Sequence, residues 1–207
     1  PSCSYSCLGC PLWQIQKQHE HLITLIKQGE FFNHYPKKSV YNVVGGDPFS
    51  CPDLEYVLTF LKSEGRRIHL WTHGMVSEDW FYQVKKVVDQ FFIYLPTVDP
   101  GEYQLITGQA SWEEFEEKIS QLKQGGYPVA LQCPITEDNI GILPDIYEFA
   151  YQHQAPLLFH YNPTGSWLNR DRKQFIKRFY KVPSVMVYTT TSVTEGQCPV
   201  YPQSVES

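Results

Sequence analysis

The sequence predicts an α/β fold built on a parallel sheet, on three observations. Short β-branched or apolar runs alternate with amphipathic helical segments from end to end. Phe91 to Leu95 is apolar without interruption, as expected of a strand covered on both faces. No low-complexity stretch or linker divides the 207 residues, so residues 1–207 are expected to form one domain with a full core, with 185–207 as a C-terminal extension.

The elements follow in order. Leu22, Ile23, Leu25 and Ile26 form the apolar stripe of a helix that ends at Gly29. Ser39 to Val44 alternates and is β-branched, a strand running into Gly45-Gly46. Pro52 occupies a helix first-turn position, and Leu54, Val57, Leu58 and Leu61 recur at helical spacing up to Gly65. Ile68 to Trp71 is a short strand ending in Thr72-His73-Gly74, and Ser77 is placed to cap a helix carrying Trp80, Phe81, Val84, Val87 and Val88. After the strand at Phe91 comes a longer polar segment through Pro96-Thr97-Val98-Asp99-Pro100. Ser111-Trp112-Glu113-Glu114 is a capping box for a helix with Phe115, Ile119 and Leu122 inside, closed by Gly125-Gly126. Val129 to Cys133 is the next strand, Ile146, Phe149 and Ala150 mark a helix, and Leu157 to His160 is a further strand. Asn169 begins a basic helix with Phe175, Ile176 and Phe179 inside, and the stretch from Ser184 adds one more strand and a tail. The regular alternation requires right-handed crossovers with helices outside the sheet.

Composition narrows the function. Hydrophobic residues are 42% and aromatics 15%, a globular composition. A net charge of −5 argues against nucleic acid or an anionic membrane as the main partner. There is no run of about 18 apolar residues and no signal-peptide pattern, so a soluble, cytoplasmic protein is expected. Six cysteines in a reducing compartment point to metal or catalysis rather than disulfides. Cys51, Cys133 and Cys198 are scattered and read as small buried hydrophobes.

Cys3, Cys7 and Cys10 are different, because the spacing C-x₃-C-x₂-C packs them into one short loop. Thiolates this close can converge on zinc, copper(I) or an iron–sulfur cluster. A structural zinc site wants a fourth ligand, and His19 and His21, two apart, fall on different faces of a helix. A [4Fe–4S] cluster held by three thiolates leaves one iron open to a ligand. Downstream stands Val43-Val44-Gly45-Gly46-Asp47-Pro48, which by itself is an ordinary strand-ending turn.

Together the two motifs resemble the radical S-adenosylmethionine (SAM) superfamily, in which three cysteines hold the cluster and a Gly-Gly-Glu/Asp-Pro stretch ends the second barrel strand. The resemblance continues through Ile68–Gly74, Tyr94–Gly108 and Tyr127–Asn139. Within the superfamily, C-x₃-C-x-G-C with G-G-D-P is most like the activases of glycyl-radical enzymes, those of anaerobic ribonucleotide reductase and pyruvate formate-lyase. The resemblance implies a partial (β/α)6 TIM-like barrel, of which this chain supplies the second to sixth strands, the first being absent or reduced to Pro1-Ser2.

It also implies a [4Fe–4S] cluster on Cys3, Cys7 and Cys10, and SAM held at the carboxyl ends of the strands. The cofactor-binding candidates there are Gly45, Gly46, Asp47, Pro48, Thr72, His73, Thr97, Asp99, Gln132 and Asn139, with no catalytic residue assigned. Gly45 and Gly46 allow close backbone approach, Asp47 can accept from the ligand ammonium, and Pro48 fixes the turn. His73 and His160 read either as rim proton donors or substrate contacts, or as hydrogen-bonded wall residues. The implied activity is reductive cleavage of SAM to a 5′-deoxyadenosyl radical that takes hydrogen from a substrate, with a flavodoxin- or ferredoxin-like electron donor and a protein substrate among the expected partners. The alternatives are a peptide- or small-molecule-modifying radical SAM enzyme and a non-catalytic iron–sulfur module, the latter drawing its fourth ligand from Cys51 or Cys198.

Overall fold

The computed structural model describes residues 19–37, 40–44, 46–108, 111–161 and 167–189. Six parallel strands form one sheet: β1 (Val40–Val43), β2 (Arg67–Thr72), β3 (Gln90–Tyr94), β4 (Val129–Pro134), β5 (Leu157–Tyr161) and β6 (Val185–Thr189). Their spatial order is their sequence order, and the sheet curls into a half-barrel. Five strands lie where the residue pattern places them, and the sixth comes from the stretch after Ser184. Pro1-Ser2 lies outside the described residues.

The helices are α1 (His19–Lys27), α2 (Phe31–His34), α3 (Leu54–Ser63), α4 (Glu78–Val84), α5 (Pro100–Thr107), α6 (Trp112–Gln124), α7 (Leu143–Gln152) and α8 (Arg170–Lys177). They cover one face of the sheet. Ile68 and Leu70, Phe91 and Ile93, Val129 and Leu131, and Leu157 and Phe159 alternate onto that face and join Leu58, Phe81, Phe115 and Ile146 in the main core. Phe92, Ala130 and Leu158 form a separate small cluster with Trp71, on the face the helices leave uncovered. Cys51 and Cys133 are buried in the main core, as expected of small hydrophobes. Cys198 lies outside the described residues.

Three local expectations change. Pro52 precedes α3 without entering it, because a 3₁₀ turn at Pro48–Ser50 takes up the chain first. The helix after Ser77 ends at Val84, and Ser77 makes no side-chain cap bond. The chain turns there because Asp89 must reach β2: its backbone N–H donates to Ile68 O at 2.9 Å, and its carboxylate accepts from Ile68 N and Lys62 Nζ, each at 2.8 Å. The polar segment at residues 96–100 leads directly into α5, which the pattern did not show. The Ser111 cap is as expected, its Oγ accepting from Glu114 N at 3.1 Å, and Asn169 Oδ1 likewise caps α8 through Arg172 N at 2.9 Å.

Candidate active site

The carboxyl ends of parallel strands expose unpaired backbone groups and the loops that follow, so a ligand binds there. At the end of β1, Gly46 has φ +57°, a conformation that glycine takes without strain and that leaves no Cβ over the rim. Gly45 lies outside the described residues. Asp47 comes next and is 1% exposed. Its Oδ1 accepts from Phe49 N at 3.0 Å, and its Oδ2 from His73 N at 3.0 Å. Thr72 Oγ1 donates to both oxygens, at 3.0 and 2.9 Å, and itself accepts from Gly74 N. The side chain therefore clamps the end of β1 to the end of β2. Burial raises its pKa, opposed by the hydrogen bonds from His73 N, Thr72 and Phe49 N.

The face that the helices leave open is polar and aromatic. By the two-residue alternation it carries His69 and Trp71 of β2, Phe92 and Tyr94 of β3, Gln132 of β4, and Leu158 and His160 of β5. Trp71 stacks on Phe92 at 4.4 Å between centroids, and its Nε1 donates to Asn42 Oδ1 on β1 at 3.1 Å. The His73 ring packs on Tyr94 at 4.9 Å. His160 Nε2 lies 2.7 Å from Gln132 Oε1, within hydrogen-bonding distance. Burial lowers the pKa of both His73 and His160 to about 4, so both rings are neutral at physiological pH.

Thr97, Asp99 and Asn139 make their side-chain hydrogen bonds within the rim. Thr97 is fully buried and donates to Glu102 Oε2 at 2.9 Å, while its Oγ1 accepts from Asp99 N. Asp99 Oδ1 caps α5 by accepting from Glu102 N at 2.8 Å. Asn139 Nδ2 donates to Pro96 O and Pro134 O, at 2.9 and 2.8 Å, and Oδ1 accepts from Thr136 N. It thus ties the loop after β3 to the loop after β4. These side chains hold the rim in shape. The structure brings Gly46, Asp47, Thr72, His73, Gln132 and His160 to one rim, and Cys3, Cys7 and Cys10 lie outside the described residues. Trp71 and Tyr94 were not among the sequence candidates; the two-residue steps from Trp71 to His73 and from Phe92 to Tyr94 were the available signal.

A family model described as the radical SAM superfamily matches residues 1–150. The chain belongs to the radical SAM superfamily. No curated protein matches it. Among solved structures it is similar to Streptococcus suis SuiB bound to S-adenosylmethionine, with a TM-score of 0.66 and 10% identity over 90% of this chain and 44% of that one. It is similar also to anSMEcpe with bound AdoMet, at TM-score 0.63 and 13% identity over 90% and 60% of the two chains. A third is a domain of pyruvate-formate lyase-activating enzyme from Bacteroides vulgatus, at TM-score 0.52 and 15% identity over 72% and 97%. The chain thus spans under half of SuiB's length. At these identities the likeness shows the half-barrel fold.

Superfamily membership implies a [4Fe–4S] cluster and SAM. The donor set fits: three closely spaced thiolates in the sequence, and a described rim with a Cβ-free backbone at Gly46 beside neutral hydrogen-bonding side chains. Among the described residues no group of His, Cys, Asp and Glu could hold a metal, and no helix is long and apolar enough to cross a membrane.

Proposed function

We propose that this radical SAM protein is an enzyme that cleaves SAM reductively and takes hydrogen from a substrate. When bound, the cluster would supply the one-electron reduction by which a carbon–sulfur bond of SAM is cleaved. The observation that carries this reading is the pairing of the Cys3, Cys7 and Cys10 loop with Gly45 to Pro48 at the rim end of β1. Cys3, Cys7 and Cys10 would hold the cluster, and Gly45 and Gly46 would let the backbone approach SAM. Asp47, with its oxygens turned to Phe49, Thr72 and His73, would hold that loop in place. His73, Gln132 and His160 would line the substrate space as neutral hydrogen-bonding groups, and the Trp71–Phe92 stack would keep water from its floor. Cys51 belongs to the main core, which weighs against its serving as a fourth ligand in a closed metal module. An electron-transfer protein of flavodoxin or ferredoxin type would supply the electron, and the substrate would be a glycyl-radical enzyme or another polypeptide.

Anaerobic reconstitution tests the reading. The protein should bind about four irons per chain, and each of Cys3→Ala, Cys7→Ala and Cys10→Ala should lose them. With dithionite and SAM it should release 5′-deoxyadenosine. A fully reduced cluster that leaves SAM intact would overturn the enzymatic reading, and a single zinc in place of iron would point to the closed module.

A further inference from the structure

The basic segment from Arg170 to Lys181 is absorbed neither by the rim nor by the core. Six of the chain's 17 lysines and arginines fall within these 12 residues, against one acid, Asp171, although the whole chain carries −5. Ile176 and Phe179 face the core, which turns the cations outward. Arg170, Lys173 and Lys177 recur at i, i+3 and i+7, the spacing of one helix face, and Lys181 follows in the 3₁₀ turn. All four are exposed, and none is in an ion pair among the described residues. Elsewhere Lys37 meets Glu64 and Lys62 meets Asp89. Tyr180, 51% exposed, adds a large apolar surface between Lys177 and Lys181.

The segment is fixed relative to the rim. Arg172 Nη1 donates to Glu137 Oε1 at 2.9 Å, in the loop after β4, and to Trp167 O at 2.6 Å. That loop also contains Asn139, which ties it to the loop after β3. The basic face therefore starts beside the carboxyl ends of the strands and, since β6 runs parallel to β5, leads back along the outside of the sheet, about 10 Å from Arg170 to Lys177 at 1.5 Å per residue.

We infer that the exposed basic face of Arg170, Lys173, Lys177 and Lys181 docks an acidic segment of a polypeptide substrate whose reacting residue enters the rim. The inference rests on the proposed SAM chemistry and narrows its substrate to an acidic polypeptide. Four cations, none in an ion pair among the described residues and each within about a Debye length of the next along the face, attract carboxylates over a distance that a lone lysine does not. A stripe that starts at the rim gives such a chain both anchorage and direction.

Fluorescence anisotropy tests this on the full chain without cluster or SAM, using a labelled oligoglutamate peptide as probe. The parent should bind it, with affinity falling steeply as salt rises from about 0.05 M to about 0.5 M. The triple variant Lys173→Gln, Lys177→Gln, Lys181→Gln should bind about tenfold more weakly at low salt, a difference of about 1.4 kcal/mol. All three positions are exposed, so the variant should melt as the parent does. Equal binding by the triple variant, or of an oligoglutamine peptide, would overturn the inference, and tighter binding of a single-stranded RNA of equal charge would reassign the face to nucleic acid. The variant should keep the parent's uncoupled rate of 5′-deoxyadenosine release. Oligoglutamate binding by a parent that releases none would leave the acidic-polypeptide surface standing and sink the SAM chemistry instead.

Discussion

Thr72 Oγ1 bridges both carboxylate oxygens of Asp47, at 3.0 and 2.9 Å, across the ends of β1 and β2. One hydroxyl thus orients a buried carboxylate, and the same carboxylate holds His73 N and Phe49 N. Removing the carboxylate leaves three buried donors without it. Asp47→Ala should lower unfolding stability by about 2–4 kcal/mol, and Thr72→Val by about 1–2 kcal/mol. Urea denaturation of both variants checks this. A variant of parental stability would show that the clamp does not hold the rim.

Acid should destabilise the protein through its two rim histidines. Burial lowers His73 and His160 to about 4 in the folded state, against an unfolded value of 6.5. Between those limits the unfolded chain binds more protons, so stability rises with pH there. Their contribution is complete above about pH 6.5 and is lost progressively as pH falls toward 4. Melting temperature should therefore drop from pH 7 to pH 5, and His160→Gln should flatten the drop. An unchanged slope in that variant would remove His160 from the account.

Gly74 ties backbone conformation to packing. Its φ is +78°, and a Cβ placed there would meet Ile93 Cδ1 and Cγ2 at 3.1 Å. Gly74→Ala should cost about 1–2 kcal/mol in backbone strain, with the crowding at Ile93 in addition. Thermal melts against the parent give the number, and a neutral effect would show that Ile93 and the loop yield freely.

Phe115 tests the helix-covered core. It is fully buried and packs against Tyr103, Trp112 and Phe149 at centroid distances of 4.9, 5.5 and 6.2 Å. Phe115→Ala should lose about 3–5 kcal/mol by chemical denaturation, since three surrounding rings cannot close the space. A loss below about 1 kcal/mol would mean that α6 repacks.

Local chemistry determined much of this protein. The β-branched and apolar runs placed five strands, the continuous run at Phe91–Leu95 among them although the helices cover only one of its faces, and Ser111 and Asn169 announced the helices they cap. These signals act over a few residues, so they survive in one dimension. The paired motifs likewise pointed to the family that the chain belongs to. Helix α5 was obscured although Asp99-Pro100-Gly101-Glu102 carries a cap, a first-turn proline and an acid, because no strong apolar stripe accompanies them.

What tertiary structure decided is which neighbours each polar residue of the rim meets. Asp47, Thr97, Asp99 and Asn139 read in sequence as cofactor-binding candidates, and the fold shows which neighbours their hydrogen bonds reach: Thr72, Glu102, Pro96 and Pro134. The partners of Asp47 and Asn139 are 25 and 43 residues away in the chain, and such separations leave no periodic trace. His160 and Gln132, 28 residues apart, became a pair only when β5 lay beside β4. Spacing records what a residue is suited to do; only closure of the half-barrel, which buries some of these groups against one another, decides which of them remain to meet a ligand.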